Sequence, residues 1–334
     1  MVLAACANRG GGQSGATLQR PSLNLPPEPT SAFDALPGWQ SELVLPGVRE
    51  FAAGCQMIAD ASFQRACAAI LRNPPASEIA ARDALRANFR PVSLGSDRLT
   101  GYFEISVQGT RTPDAGHRVP VLRTPPNPTQ FARADILAGA LSGRGLEIAY
   151  LRNEADLYWL HLQGSGRITL PTGAVLHVGT ANVNGRPHQS YTAMFGDLPV
   201  PGHDLSGPSV RAWGEAHPSE FKRYLARESA YNFMRETPGG GPDVGPLGHY
   251  GRYLTPMLSV AVDPRATRLG SMLWINGANP SSHRYLPHLV LAHDTGPAIV
   301  GAARLDLFYG AGDEAEQAGG HQYATGSVWT LLPK

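Results

Sequence analysis

Charge is scarce in this chain. Asp, Glu, Lys and Arg make up 16% of its 334 residues, and 28 basic against 27 acidic side chains leave a formal net charge of +1. A nucleic-acid binder needs a clustered basic face; this balance supplies none, and no nucleic-acid partner is expected. Long hydrophobic runs are missing too: none reaches the roughly 18 residues that a membrane-spanning helix requires. The 11 histidines contain no H-E-x-x-H and no Cys/His zinc spacing, so no metal site is expected. His283, His288 and His293 recur at a spacing that suits neither one helix face nor one strand face, and they read as surface or turn residues. A P-loop and a dinucleotide fingerprint are absent, so no cofactor is expected. Without a G-x-S-x-G elbow, a serine hydrolase lacks its nucleophile turn. No repeat occurs at solenoid periods.

Glycine and proline are plentiful by contrast, with 38 and 29 copies. That composition suits a turn-rich, mainly β protein, and the length suits two domains. Only three cysteines occur. Leu3-Ala4-Ala5-Cys6 resembles a bacterial lipobox, whose cysteine is lipidated, although the basic and apolar parts of an export signal do not precede it. Residues 1–30, rich in Gly, Ser and Pro, read as a tether behind that anchor. Cys55 and Cys67 then remain as an even pair. In an oxidising periplasm they can bridge; the alternative is two buried thiols. On one unbroken helix they would lie ~18 Å apart, so a bridge demands a bend between them.

Apolar residues at Phe51, Cys55, Ile58, Phe63, Cys67 and Ile70 predict helix from Pro46 to about Leu71 with an interruption. Ser77 predicts the N-cap of a further helix from Glu78 to Phe89. Leu99 to Glu104 starts the first core strand. The stretch Glu147–Asn182 reads as successive strands, with N-E-A-D and P-T-G as turns. A surface helix is expected from Glu215 to Arg227, and Ala230–Met234 is expected to return the chain to the first domain.

The richest segment runs from Tyr285 to Pro333. Leu289–Ala292 is a short apolar run ending in Asp294-Thr295-Gly296, and Arg304–Tyr309 alternates polar with apolar before Gly310. Two carboxylates, Asp294 and Asp306, therefore stand on sheet beside glycine turns, where burial or a like charge raises a pKa. A lone D-T-G is most simply a turn cap. It also admits an aspartic-protease-like hydrolase using Asp294, but the chain has no second D-T-G or D-S-G, and such an enzyme would have to dimerise.

D-T-G-P-A-I-V-G-A-A-R-L-D-L-F-Y-G-A-G-D-E-A, followed by G-S-V-W-T-L-L-P, resembles the C-terminal signature of the MltA family, the membrane-bound lytic murein transglycosylases A. Leu254–Ile275 resembles the preceding part of the same three-aspartate domain, its acids matching Asp263, Asp294 and Asp306. L-T-G-Y-F-E resembles the family's T-G-Y-Y-E-P, with Ile105 in place of the proline. Q-G-S-G-R at Gln163–Arg167 matches directly, and N-G-R-P-H carries His188 where the family has Tyr. Pro297 and Val300 depart from the usual D-T-G-G-A-I-K-G.

The resemblance implies a double-psi β-barrel domain from residues 31–107 and 232–334, N-terminal helices included, with an inserted second β domain at 108–231. It implies cleavage of the bond between N-acetylmuramic acid and N-acetylglucosamine in peptidoglycan, closing a 1,6-anhydro ring. Asp306 takes the role of acid and then base, and Asp294 tunes it. Thr100, Gly101, Tyr102, Glu104, Gln163, Gly164, Ser165, Asp263 and Tyr309 are the expected substrate-binding residues. Asp263, before Pro264, also suits an acceptor for loop amides, and Phe103 suits the core. The implied partners are glycan strands, a membrane reached through lipidated Cys6, and other cell-wall enzymes. A monomer anchored to the outer membrane from the periplasm is expected. A non-catalytic peptidoglycan-binding lipoprotein is the remaining alternative.

Overall fold

The computed structural model describes residues 32–334 apart from 240, 242–243, 280–283 and 287. Cys6, the tether and His283 lie outside the described residues.

The N-terminal helices form as the pattern predicts, and the interruption is where their chemistry lies. α1 (Leu45–Gly54) carries Pro46 in its first turn, where the missing N–H costs nothing. Its first amides are capped from a distance: the Glu78 carboxylate accepts from Val44 N at 2.8 Å and Leu45 N at 3.1 Å. A 3₁₀ turn at Cys55–Met57 breaks the helix, and α2 (Ala61–Arg72) restarts under an Asp60 N-cap. That bend brings the Cys55 and Cys67 Cα atoms to 5.6 Å, and the two are joined as a disulfide. α3 (Glu78–Asn88) follows its Ser77 N-cap.

β1 (Phe89–Thr110) is a 22-residue strand that changes partners along its length. The remaining elements follow in order: β2 (Val119–Leu122), α4 (Arg133–Leu137), β3 (Glu147–Leu151), α5 (Glu154–Gln163), β4 (Ser165–Thr169), β5 (Val175–Val183), α6 (Tyr191–Phe195), α7 (Gly207–Ala216), α8 (Pro218–Leu225) and β6 (Asn232–Glu236). Then come β7 (Ser259–Val262), β8 (Met272–Asn276), β9 (Ala278–Asn279), β10 (Arg284–Tyr285), β11 (His288–Thr295), β12 (Leu305–Ala311), α9 (Asp313–Gly320) and β13 (Tyr323–Pro333).

Hydrogen bonding runs β12-β7-β11-β8-β13-β1, and β1 pairs back onto β12, closing a six-stranded barrel. This is the barrel the sequence predicts. Two of its pairs, β1–β12 and β7–β11, are parallel. Leu99, Val260, Ile275, Val290, Leu305, Leu307 and Val328 fill the inside. Met272, Trp274, Leu289 and Leu291 alternate to the outside, under the N-terminal helices, with Trp39, Phe51 and Phe89. Trp274 is fully buried there and donates to Pro37 O at 3.0 Å; truncating such a side chain to Ala costs about 3–5 kcal/mol.

Beyond the barrel, Ile105–Gln108 of β1 pair with β4, and β5 and β6 extend that sheet. Three sequence expectations change here. N-E-A-D opens a helix, α5, instead of a turn: Asn153 accepts from Asp156 N at 2.8 Å as its N-cap. Residues Ala155 through His161 are all buried, so no apolar stripe betrays the helix. The single helix from Glu215 is two, divided at His217 before Pro218, and Phe221 and Leu225 of the second are buried. The strand expected to return the chain to the barrel, β6, pairs with β5, so the crossing back falls after Glu236.

Candidate active site

The outward face of the barrel not covered by helices carries the acids. Leu305 and Leu307 point inward, so Asp306 between them points out. Asp306 lies opposite Thr100 in the parallel register and opposite Ala261 of β7 on its other side. Ala261 is also the register partner of Asp294. The two acids thus flank one small residue across β7, with Cα atoms about 9–10 Å apart by strand spacing. A bulge between Ala292 and Asp294 turns the second acid toward this face.

Burial pushes the Asp306 carboxyl up to about 6; the Thr100 hydrogen bond and the Arg304 charge oppose the rise, and the Asp294 charge adds to it. The Thr100 hydroxyl donates to Asp306 Oδ1 at 2.6 Å, leaving Oδ2 as the oxygen that can carry a proton. Burial also raises the Asp294 carboxyl above its ordinary value, against hydrogen bonds from the His249 and Thr295 amides and the Tyr102 hydroxyl. His249 N donates to its Oδ1 at 3.0 Å and the Tyr102 hydroxyl to its Oδ2 at 3.0 Å. The sequence expectation that like-charge coupling keeps Asp306 protonated is revised: burial is the leading cause and Asp294 a lesser one.

The other expected residues divide into those beside the acids and those that frame the site. Tyr102 leans on Phe308, ring centroids 5.2 Å apart, with its hydroxyl committed to Asp294. Gly101 has no room for a side chain: a Cβ would lie 2.7 Å from the Tyr309 ring and 2.8 Å from Gly319 O. The Tyr309 hydroxyl donates to Gln322 Oε1 at 2.9 Å, tying β12 to the start of β13.

Several residues expected to bind substrate have their polar groups engaged by the protein. Glu104 is 1% exposed, with Arg167 Nε donating to it at 2.7 Å and His177 Nδ1 lying 3.7 Å away, too far for a hydrogen bond. Its carboxylate holds Arg167. Gln163 Oε1 accepts from Phe103 N at 3.1 Å, and Gly164 is the left-handed C-cap of α5. Ser165 begins β4. Asp263, 5% exposed, accepts from Arg265 and from Gly301 N at 3.0 Å, which hold its carboxyl down to about 2. That is the loop-amide role, fixing the segment between Asp294 and Asp306.

Two features escaped the sequence. Arg167 lines a recess of about 230 Å³ with Val244, Gly245, Pro256, Tyr309, Gly310 and Ala311, where the inserted sheet meets the barrel. His293, expected at the surface, is 1% exposed: its Nδ1 lies 2.9 Å from the Ser259 hydroxyl, and burial pushes it down to about 4. Among the described residues no group of His, Cys, Asp and Glu could hold a metal ion.

The comparisons with known proteins match this layout. A "3D domain" model covers residues 258–332, which holds Asp263, Asp294 and Asp306, and an "MltA specific insert domain" model covers residues 128–235. The structure of the Burkholderia pseudomallei lytic transglycosylase LtgG is 30% identical, covers 91% of this chain and 94% of its own, and superposes with a TM-score of 0.64. The chain belongs to the MltA family. MltA from Neisseria gonorrhoeae superposes at a TM-score of 0.76 with 26% identity, over 90% of this chain and 91% of its own. The membrane-bound lytic murein transglycosylase A of Escherichia coli K12 is 29% identical over 246 residues, 72% of this chain and 66% of that protein.

Proposed function

We propose that the chain is a peptidoglycan lytic transglycosylase with Asp306 as its single acid and base. The observation that carries the reading is an outward-facing carboxyl whose pKa burial lifts to about 6, in an MltA-family barrel. A general acid with a pKa near the working pH is protonated often enough to give its proton and acidic enough to release it. Asp306 Oδ2 protonates the oxygen bridging N-acetylmuramic acid to N-acetylglucosamine. The bond from C1 to that oxygen breaks, and N-acetylglucosamine departs with the proton as its 4-hydroxyl. The C6 hydroxyl oxygen of the same muramic acid bonds to C1, and its proton passes to the Asp306 carboxylate, restoring the acid. Because the nucleophile is intramolecular, its effective molarity is high and no second carboxylate is needed to activate water. Thr100 fixes the Asp306 rotamer, and Asp294, held by Tyr102 and His249, stands as its neighbour across β7.

The proposed setting is the periplasm, with a lipid anchor at Cys6; the "membrane-bound" name of the E. coli relative supports attachment to a membrane, and among the described residues no helix is long and apolar enough to cross one. A monomer working on glycan strands is the simplest assembly for this role. Purified sacculi test the activity. The expected result is soluble 1,6-anhydromuropeptides from the wild type and none from a folded Asp306→Asn variant. Undiminished release by that variant would remove Asp306 from the role. Binding of sacculi with no release by the wild type would make the protein a glycan-binding lipoprotein, and cleavage of a peptide pool would favour the aspartic-protease-like alternative.

A further inference from the structure

Thr100 has two neighbours across the sheet. On one side is Asp306, and on the other, in the antiparallel register of β1 with β13, is Tyr323. Residues directly opposite in a sheet project from the same face. The Thr100–Asp306 hydrogen bond fixes which face Thr100 uses. Four register pairs back along β1, and so on the same face, the Ser96 and Ser327 hydroxyls meet at 2.9 Å. Asp306, Thr100 and Tyr323 therefore stand in one row, with Tyr323 about 10 Å from the acid by strand spacing.

Tyr323 is 65% exposed, while Val328 and Leu331 of the same strand are fully buried. Its ring fills no core. Its backbone is nevertheless rigid. The preceding residue, Gln322, is buried, donates to Leu99 O at 3.3 Å and accepts from the Tyr309 hydroxyl at 2.9 Å. A large aromatic surface left in water on a fixed strand, one strand beyond Thr100, suits the apolar C–H face of a pyranose ring. Tyr102 cannot serve this way as freely, because its ring leans on Phe308 and its hydroxyl is bound to Asp294.

We infer that Tyr323 is a sugar-stacking residue, holding the pyranose next to the scissile bond so that the bridging oxygen lies at Asp306. The inference rests on the glycan-cleaving reading for its choice of ligand. A β-1,4-linked N-acetylglucosamine hexamer is the probe, titrated calorimetrically against wild type, Tyr323→Ala and Tyr323→Phe, with thermal melts as the folding control. Stacking uses the ring face and not the hydroxyl. Tyr323→Ala should weaken binding roughly tenfold, Tyr323→Phe should bind as wild type does, and all three should melt alike. On sacculi, Tyr323→Ala should raise KM more than it lowers kcat. Unchanged affinity in Tyr323→Ala overturns the inference, and so does a Phe variant as weak as the Ala variant. Wild type that binds the hexamer through Tyr323 but releases nothing from sacculi would refute the catalytic reading and leave this contact standing.

Discussion

Replacing Asp306 with Asn should stabilise the protein at neutral pH while removing its activity. The folded carboxyl titrates at about 6 against an ordinary value of 3.8, chiefly because it is buried. The folded state thus holds this proton more tightly than the unfolded chain does. Its favourable contribution is complete below about pH 3.8 and is lost as pH rises through about 6. At about 1.4 kcal/mol per pH unit, the gap amounts to about 3 kcal/mol of destabilisation carried by the charged form. Asparagine imitates the neutral form: its amide oxygen can still accept from Thr100, and it leaves no charge to desolvate. Urea unfolding of both proteins at about pH 4 and about pH 8 measures the effect. The advantage of Asp306→Asn should grow by roughly 2 kcal/mol or more between those conditions. A difference independent of pH, or a variant less stable than wild type at about pH 8, would refute the assignment of a raised pKa to this residue.

The same protonation should govern turnover: kcat/KM on glycan should fall as pH rises above about 6, because the acid form is lost, and a pH profile flat to alkaline values would contradict it. Gly101→Ala should cost about 1–3 kcal/mol, since its Cβ would meet Gly319 O at 2.8 Å and the Tyr309 ring at 2.7 Å; denaturant melts measure it. Removing the Cys55–Cys67 disulfide by a double Ser substitution should cost about 3 kcal/mol for a short loop, with sacculus release at low temperature unchanged because the bridge lies among the helices. Glu104→Gln should weaken the hold on Arg167 and raise KM, because it breaks an ion pair whose carboxylate is 1% exposed; an unchanged KM would show that Arg167 takes no part in binding glycan.

Much of the site was legible because it lies in one stretch of chain. The alternation of Leu305, Asp306 and Leu307 says which way the acid points once the leucines are known to be core. The Ser77 cap and the break between Phe51 and Phe63 were also local signals, and the break became the bend that the disulfide needs. What was missed depends on contacts distant in sequence. α5 is buried all round, so its residues carry no helical stripe and pass for strand. His293 looks like a surface residue until Ser259, 34 positions away, is placed beside its ring nitrogen. The pairing of Glu104 with Arg167, 63 positions on, has no local signal either. Tyr323 stands in a strand whose register against Thr100 no local pattern reveals.

The central claim is that the muramic acid closes on its own C6 hydroxyl, with one aspartate moving the proton out and back. Digesting sacculi in heavy-oxygen water and weighing the new muramic ends tests it most directly. The account predicts ends lighter by one water than a hydrolysis product and free of solvent oxygen. Reducing ends carrying the heavy isotope would contradict it, since water would then be the nucleophile and a second carboxylate would be required.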